Sequence, residues 1–396
     1  MDALAKPGLG STSASSAIIR FHYESFESAA MAWDSYGAWR DWPSEIGGVD
    51  PDGMPRLQET GALMLGSANE FSSMVENLRR LDISHEVLSP DDIRHRFPAI
   101  DPARFGPPRP VDDPAFWADP SGEDLSGLYT PDGGYVTDPQ RAAATYAWAA
   151  DREGVQFLMK RRVSAIVSSG ERISGVRLGD GAVVEADVVV NAAGPTSSQI
   201  NSMAGLDTSV GVISRPLITE THVVPAPPNF QGGTSVFVID PDLGIAFRPE
   251  GDHEVLVSCV EPECDPLEWC LDPWNLDPRP TQEVYERQTL RTARRLPDLR
   301  IPPRPRGLRA LYDVSSDWNP LLGQTPVDGF VVACGTSGNS FKTAPAISLL
   351  VASVVEAQLQ GTEAPRMLTL PRTGVAIAID AYALSRRSGS ARNVIT

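Results

Sequence analysis

Residues 328–361 make a unit that a chain can build in few ways. Phe330–Cys334 (FVVAC) is a short apolar run with β-branched residues, the pattern of a buried strand. Gly335-Thr336-Ser337-Gly338-Asn339-Ser340 is a loop of small residues, followed by Phe341 and Lys342. Thr343-Ala344-Pro345 then opens a helix to about Gln360, stopped by Gly361; Thr343 is placed as N-cap and Pro345 in the first turn. Apolar residues lie nearly all round it (Ile347, Leu349, Leu350, Val351, Val354, Val355, Leu359), which predicts burial. Strand, glycine loop, helix start and one cation together form a place for an anionic or electron-rich ligand, because free N–H groups and the helix dipole point into it. The plainer alternative is an ordinary tight turn between strand and helix.

A second unit of this kind lies upstream. Residues 186–190 (ADVVV) run into Asn191-Ala192-Ala193-Gly194-Pro195 and a helix from about Ser197. Two such units predict a parallel sheet covered by helices. Other stretches differ in kind. Residues 217–225, 234–239, 244–248 and 254–260 alternate or run apolar with turns between, and predict one mostly antiparallel sheet. Helices are expected at 26–42, with an aromatic face of Trp33, Tyr36 and Trp39 assigned to core packing, and at 68–81, 140–153 and 281–295. The last of these should carry a basic surface late in its length (Arg291, Arg294, Arg295). Residues 129–136 look like a strand with a Gly133-Gly134 turn or bulge, 155–158 look strand-like, Gly179-Asp180-Gly181 marks a hairpin, and the tail from 385 to 396 should fray. Parallel α/β pieces thus alternate along the chain with antiparallel or irregular ones, and two interleaved domains with a ligand between them is the usual consequence.

With 396 residues and 41% hydrophobic content the chain is long enough for two domains. A net charge of -17 argues against nucleic acid or an anionic membrane surface as the main partner. Lysine occurs only at Lys6, Lys160 and Lys342, so one of three sits in the glycine loop. Cys259, Cys264, Cys270 and Cys334 form no CxxC pair and lack zinc spacing, so no metal site is expected and free thiols are. The first residues carry no apolar signal core, and the expectation is a soluble cytoplasmic protein.

Four segments in order carry a resemblance. GSTSASSAIIRFHY, GGYVTDPQRAAATYAWAADREGV, VVEADVVVNAAGP and GTSGNSFKTAPAI resemble motifs of the D-amino-acid oxidase-type flavoproteins, which include the sarcosine oxidase, glycine oxidase and dimethylglycine dehydrogenase groups. The resemblance spans nearly the whole chain. It implies an α/β fold, α+β overall: a Rossmann-like FAD domain with a parallel sheet (1–42, 135–205 and 307–396), interleaved with a mostly antiparallel substrate domain (43–134 and 206–306). It implies non-covalent FAD, since Ala310 stands where some relatives attach flavin through Cys, and the Thr12-Ser13 region where others use His. Arg20 and Lys342 fall where such enzymes hold the substrate carboxylate, and Tyr312 could line the pocket, with a core tyrosine as its other reading. Ser11, Thr12, Ser13, Val163, Gly194, Gly335, Gly338, Asn339, Ser340 and Phe341 fall at cofactor contacts.

Departures from the pattern matter too. The family opens with a strand–GxGxxG–helix–strand unit of ~30 residues that cradles the dinucleotide, and no GxGxxG occurs here. An incomplete start, a unit supplied by a partner subunit, and a relic that holds FAD poorly would each account for this; the first is the expectation. No lysine lies between Lys160 and Lys342, where oxidases of the group keep one for oxygen, which puts oxygen as acceptor in doubt. The implied activity is oxidation of the C–N bond of a small amino acid or N-methyl amino acid. The alternatives are an impaired relic or complex subunit, and a flavin enzyme for hydroxy acids.

Overall fold

The computed structural model describes residues 1–206 and 213–386. Most of the expected fraying tail therefore lies outside the described residues. A turn-rich entry leads to β1 (Ile18–Ile19). Next come α1 (Phe26–Arg40), α2 (Trp42–Glu45), β2 (Leu57–Glu59), β3 (Ala62–Gly66), α3 (Ser72–Arg80), β4 (Glu86–Leu88) and α4 (Pro90–Arg96). α1 starts at Ser25, whose Oγ accepts from Ser28 N, and α4 at a Ser89–Asp92 capping box. A Pro- and Asp-rich loop precedes β5 (Ser126–Thr130), β6 (Gly134–Val136) and α5 (Pro139–Arg152). The turn or bulge expected at Gly133-Gly134 within 129–136 is a turn that separates two strands, with Gly133 at φ +103°.

β7 (Val163–Ser169), β8 (Arg172–Leu178) and β9 (Val183–Glu185) form a small antiparallel meander closed by the Gly179–Gly181 turn. Residues 155–158 make no strand. β10 (Val189–Asn191) and α6 (Ser197–Met203) follow, then β11 (Ser214–Pro225), β12 (Phe237–Asp240), β13 (Ile245–Glu250), β14 (Glu254–Cys259) and α7 (Gln282–Arg295). The chain ends with β15 (Gly307–Ser315), β16 (Leu321–Gln324), β17 (Phe330–Cys334), α8 (Ala344–Gln360), β18 (Met367–Thr369) and β19 (Ala376–Ala378).

The dominant sheet has eight strands in the order β15-β11-β14-β13-β12-β3-β5-β4. It is antiparallel except between β12 and β3, where Phe237 pairs with Ala62. The period-2 alternation of its strands divides two cores. Leu63, Leu65, Val238, Ile245 and Phe247 face α4 and α7, whereas Ala62, Met64, Phe237, Ile239 and Ala246 face α1 and β1. β15, which the sequence division placed with 307–396, is the edge strand of this large sheet, paired with β11 from Ser214–Ser315 to His222–Gly307.

The parallel component is smaller than expected: β10 and β17 pair in parallel, and β16 adds an antiparallel strand on the other side of β17. β10 has a hydrogen-bonded neighbour on one side among the described residues, so Val190, expected to be buried, is 39% exposed. α8 also departs from all-round burial. Leu350 and Val354 pack inward while Leu349 and Leu359 face solvent. Gly361 caps α8 in the left-handed region (φ 67°), a backbone conformation that glycine adopts without the strain a side chain would bring.

Arg291 and Arg295 correct the expected basic surface. Both side chains are fully buried, because the acceptors that α7 needs lie under it. Arg295 Nε donates to Asp240 Oδ2 (2.7 Å), and Arg291 grips both carboxylate oxygens of Asp265 (2.7 and 2.8 Å). Removing either partner would leave a buried charge, at a cost of about 3–5 kcal/mol.

Candidate active site

A cavity of about 60 Å³ lies between the large sheet and the glycine loop. Three segments distant in sequence meet there: Ser15–Ile18 with Arg20, the sheet residues Phe237, Ile239, Ala246, Ser258, Cys259, Val260 and Tyr312, and the loop residues Gly338, Asn339, Phe341 and Lys342.

The entry segment is held in shape from outside. Arg248, itself buried over the Tyr135 ring, donates from Nε to the Ser16 carbonyl (3.0 Å) and pairs with Glu250 (2.6 Å). This holds Ala17 in the left-handed region (φ 49°), an unfavourable conformation for alanine, and β1 then carries Arg20 into the wall.

The glycine loop is anchored on β15. Gly335 N donates to Asp313 Oδ2 (2.5 Å), Ser337 N to the Asp313 carbonyl (2.7 Å), and Ser315 N to Ser337 Oγ (3.1 Å). Burial lifts the Asp313 carboxyl to about 7, against the pull of its bond from Gly335. Gly338 has φ +72°, and a Cβ there would come within 2.7 Å of the Tyr312 ring. Thr343 is not a side-chain cap, contrary to the sequence expectation: its Oγ1 donates back to the Ser340 carbonyl (3.3 Å) while Pro345 occupies the first turn. The aromatic face of α1 does pack as core, and it also supports the site. Trp39 stacks on Phe341 (centroids 5.0 Å) and donates from Nε1 to the Lys342 carbonyl (2.8 Å).

Arg20 and Lys342 converge, each 4% exposed. Arg20 donates from one guanidinium nitrogen to the His22 carbonyl and from the other to Asn339 Oδ1 (3.3 Å). Lys342 Nζ donates to the Asn339 carbonyl (2.8 Å). Both lie over Tyr23, the guanidinium carbon 4.3 Å and Nζ 5.7 Å from its ring centroid. Burial lowers the pKa of both cations against the opposing pull of Tyr23, and the Arg20 charge lowers that of Lys342 further. Burial alone would raise the Tyr23 phenol, but the field of Lys342 and then of Arg20 outweighs it, and the phenol is held below its ordinary value. A place with two buried cations that destabilise each other is one that an anion completes.

The structure thus brings Arg20, Tyr312, Gly338, Asn339, Phe341 and Lys342 to one cavity. Gly335 anchors the loop behind it, and Ser340 borders a smaller space beside Tyr23 and Tyr382. Ser11 lies one layer out, its Oγ donating to the Leu311 carbonyl (2.7 Å), while Thr12 and Ser13 sit in the adjoining turn. Gly194 stands in a 3-10 turn after β10 with φ 55° and open space where a Cβ would go. Val163, at the start of β7 opposite Leu178, is not among the cavity residues. Tyr23, Trp39, Cys259 and Val260 carried no sequence signal for a site; Tyr23 alone could have been noticed, as a phenol close to Arg20 in a short polar-aromatic run. Among the described residues no group of three or more His, Cys, Asp or Glu is placed to hold a metal ion, and no helix is long and apolar enough to cross a membrane.

The family model described as FAD dependent oxidoreductase (DAO) matches residues 2–354. The chain is 22% identical over 376 residues to the sarcosine oxidase subunit beta of an Arthrobacter species, covering 92% of this chain and 82% of that protein. Among solved structures, L-proline dehydrogenase from P.horikoshii superposes with a TM-score of 0.71 at 20% identity, covering 96% of this chain and 88% of that one. Glycine oxidase from Geobacillus kaustophilus superposes with a TM-score of 0.69 at 19% identity, covering 98% and 92%.

Proposed function

The chain belongs to the DAO family of FAD-dependent oxidoreductases, which act on amino acids, and from that premise we propose that it oxidises the C–N bond of a small amino acid or N-methyl amino acid held by its carboxylate. The observation that carries this reading is the pairing of buried Arg20 and Lys342 on one cavity wall, tied through Asn339. A guanidinium and an ammonium together fix a carboxylate in position and direction, so that the rest of a small substrate has one place to lie. The apolar wall of Phe237, Ile239, Ala246 and Val260 excludes water and leaves room for a short side chain.

FAD, when bound, would supply the acceptor for a hydride from the carbon beside the substrate nitrogen, and water would hydrolyse the imine left on the substrate. The residues present suit the ring half of that cofactor. The loop 335–342 leads into the start of α8, where the helix dipole stabilises negative charge, and Gly194 leaves open space after β10. By the same reading, Ser11, Thr12, Ser13, Val163, Gly194, Gly335, Gly338, Asn339, Ser340 and Phe341 would hold the cofactor, and Tyr312 would line the substrate pocket. The open edge of β10 favours a second reading, in which another polypeptide supplies the strand neighbour and the dinucleotide grip.

Loading the protein with FAD and adding amino acids without oxygen tests both. Bleaching of the yellow flavin by sarcosine, glycine, L-proline or iminodiacetate, and none by matched hydroxy acids, is the expected result. A protein that holds FAD but is bleached by none of the amino acids refutes the first reading. A protein that holds FAD tightly alone refutes the second.

A further inference from the structure

The proposed substrate brings a problem that the cavity walls do not solve. A small amino acid arrives with its nitrogen as an ammonium, and hydride can leave the adjacent carbon only when the nitrogen lone pair is free. The proton must go to some acceptor. No carboxylate and no imidazole is among the residues lining the cavity. Its two ionisable neutral groups are poor bases: burial first, then the nearby negative charge of Glu261, pushes the Tyr312 phenol up, and the same two causes in the same order push up the Cys259 thiol.

We propose that Glu261 is the acceptor, the anionic counterpart of the Arg20–Lys342 pair in one site. This rests on the amino-acid reading above. Glu261 follows the wall residues Cys259 and Val260 directly. It is held at φ 50°, a conformation that glutamate seldom adopts, and its N–H donates to Cys259 Sγ (3.3 Å). Among the described residues its Oε2 has no hydrogen-bond partner, and it has no solvent contact. Such a carboxyl oxygen is costly to keep and marks a place where a ligand supplies the missing partner.

The surroundings explain why Glu261 has no cation of its own. From α7, Arg291 and Arg287 reach toward this segment, but both are engaged by Asp265, at 2.7 and 3.3 Å. Arg291 also touches Cys264 Sγ (3.3 Å). From β14 it meets Cys259 and from β15 Tyr312, both neutral, and along its own segment stand Glu263, Cys264 and Asp265. Burial, and then Asp265, hold the Glu261 carboxyl up at about 8. At neutral pH it is mostly protonated, and an ammonium brought close makes it ionise. The carboxylate then takes the proton of the amine. One N–H bond breaks with its electron pair left on nitrogen, one O–H bond forms on Glu261, and no electron changes owner.

The test uses FAD-loaded protein and two ligands that cannot react, propionate and glycine betaine. Both offer a carboxylate, and betaine alone adds a fixed positive charge with no proton to give. Calorimetry at pH 7 in buffers of different ionisation heat counts protons released on binding. Betaine should release most of one proton more than propionate does, and Glu261→Gln should abolish the difference while still binding propionate. In wild type, flavin reduction by an amino acid should also speed up as pH rises through about 8, and Glu261→Gln should lose that limb. Equal proton counts for the two ligands in wild type overturn the proposal even if the variant does not fold, as does an unchanged difference in a folded variant. A wild type that binds propionate but not betaine overturns it too. A wild type that binds neither ligand removes the carboxylate reading, and this one with it.

Discussion

Replacing Lys342 by Met separates a lysine that binds from one that only fills space. Met keeps most of the apolar stem and removes the charge. The ammonium is buried, and burial lowers its pKa, with Arg20 acting in the same direction. In the folded state it therefore sheds its proton more easily than in the unfolded chain. Between the two values the unfolded chain binds more protons, so stability rises with pH across that window; below the folded value the full cost of the buried charge is present. Removing the charge relieves that cost, against which stand the lost bonds to the Asn339 carbonyl (2.8 Å) and, more weakly, to its Oδ1 (3.5 Å), worth about 1 kcal/mol each at most. The ligand-free variant should then be as stable as wild type or more so in urea at pH 7, with a flatter dependence on alkaline pH. Carboxylate binding should respond in the opposite way. Losing one partner of a buried charge pair costs about 2–5 kcal/mol, and a central value of ~3 kcal/mol weakens binding roughly 150-fold. Propionate affinity, measured by calorimetry on FAD-loaded protein, checks this. A dissociation constant within threefold of wild type, together with a loss of several kcal/mol in stability, would show that Lys342 is a structural strut and that the carboxylate grip lies elsewhere.

Other outcomes follow from the same geometry. Tyr23 is the one tyrosine of eight held below its ordinary pKa, so an ultraviolet titration should show a single early phenol that Tyr23→Phe removes and Lys342→Met delays; a first step unchanged by Tyr23→Phe refutes the cluster. Gly338→Ala forces a Cβ to within 2.7 Å of the Tyr312 ring at φ +72°, and should cost about 2–4 kcal/mol in denaturant unfolding and displace the ring from the cavity. A loss under 0.5 kcal/mol would show that the loop relaxes freely. Asp313 is protonated more readily folded, at about 7, than unfolded, so the folded state binds the extra proton and stability falls as pH rises from about 4 to 7. Asp313→Asn should remove ~3–4 kcal/mol of that fall, measured as the difference in unfolding free energy between pH 4 and pH 7. A pH slope identical to wild type would count against the buried carboxyl.

The local elements were legible wherever one rule governed them. Phe330–Cys334 is a strand bounded as its apolar run requires, and α8 stops at a glycine that adopts the left-handed conformation. The hairpin at Gly179–Gly181 depends only on neighbours in sequence. What escaped depends on partners far along the chain. Arg291 and Arg295 have the spacing of a solvated helix end, and only Asp265 and Asp240, brought beneath α7 by the sheet, make them internal. Thr343 has the right identity for a cap, but the Ser340 carbonyl competes for its hydroxyl. β15 looks like the approach to the glycine loop because it is next to it in sequence. Its nine-residue register with β11 nevertheless assigns it to the large sheet.

That placement of β15 joins the two chemistries of the candidate site. The strand carries Tyr312 on the cavity wall, and through Asp313 it holds the backbone of Gly335 and Ser337. The loop in turn presents Asn339 and Lys342 to Arg20, which arrives on β1 from the other end of the chain. Anion grip and apolar wall are therefore mounted on one rigid support, and a shift of β15 would move both together. The loop alone predicted a place for negative charge. It could not point to Glu261, which lies on a segment with no motif and becomes interesting only when its unpartnered oxygen is seen beside Cys259 and Tyr312. Short-range patterns identify the grip on the acid. The proposed handling of the amine proton depends instead on the tertiary contacts of α7, whose arginines pair with Asp265 and leave the Glu261 Oε2 without a partner among the described residues.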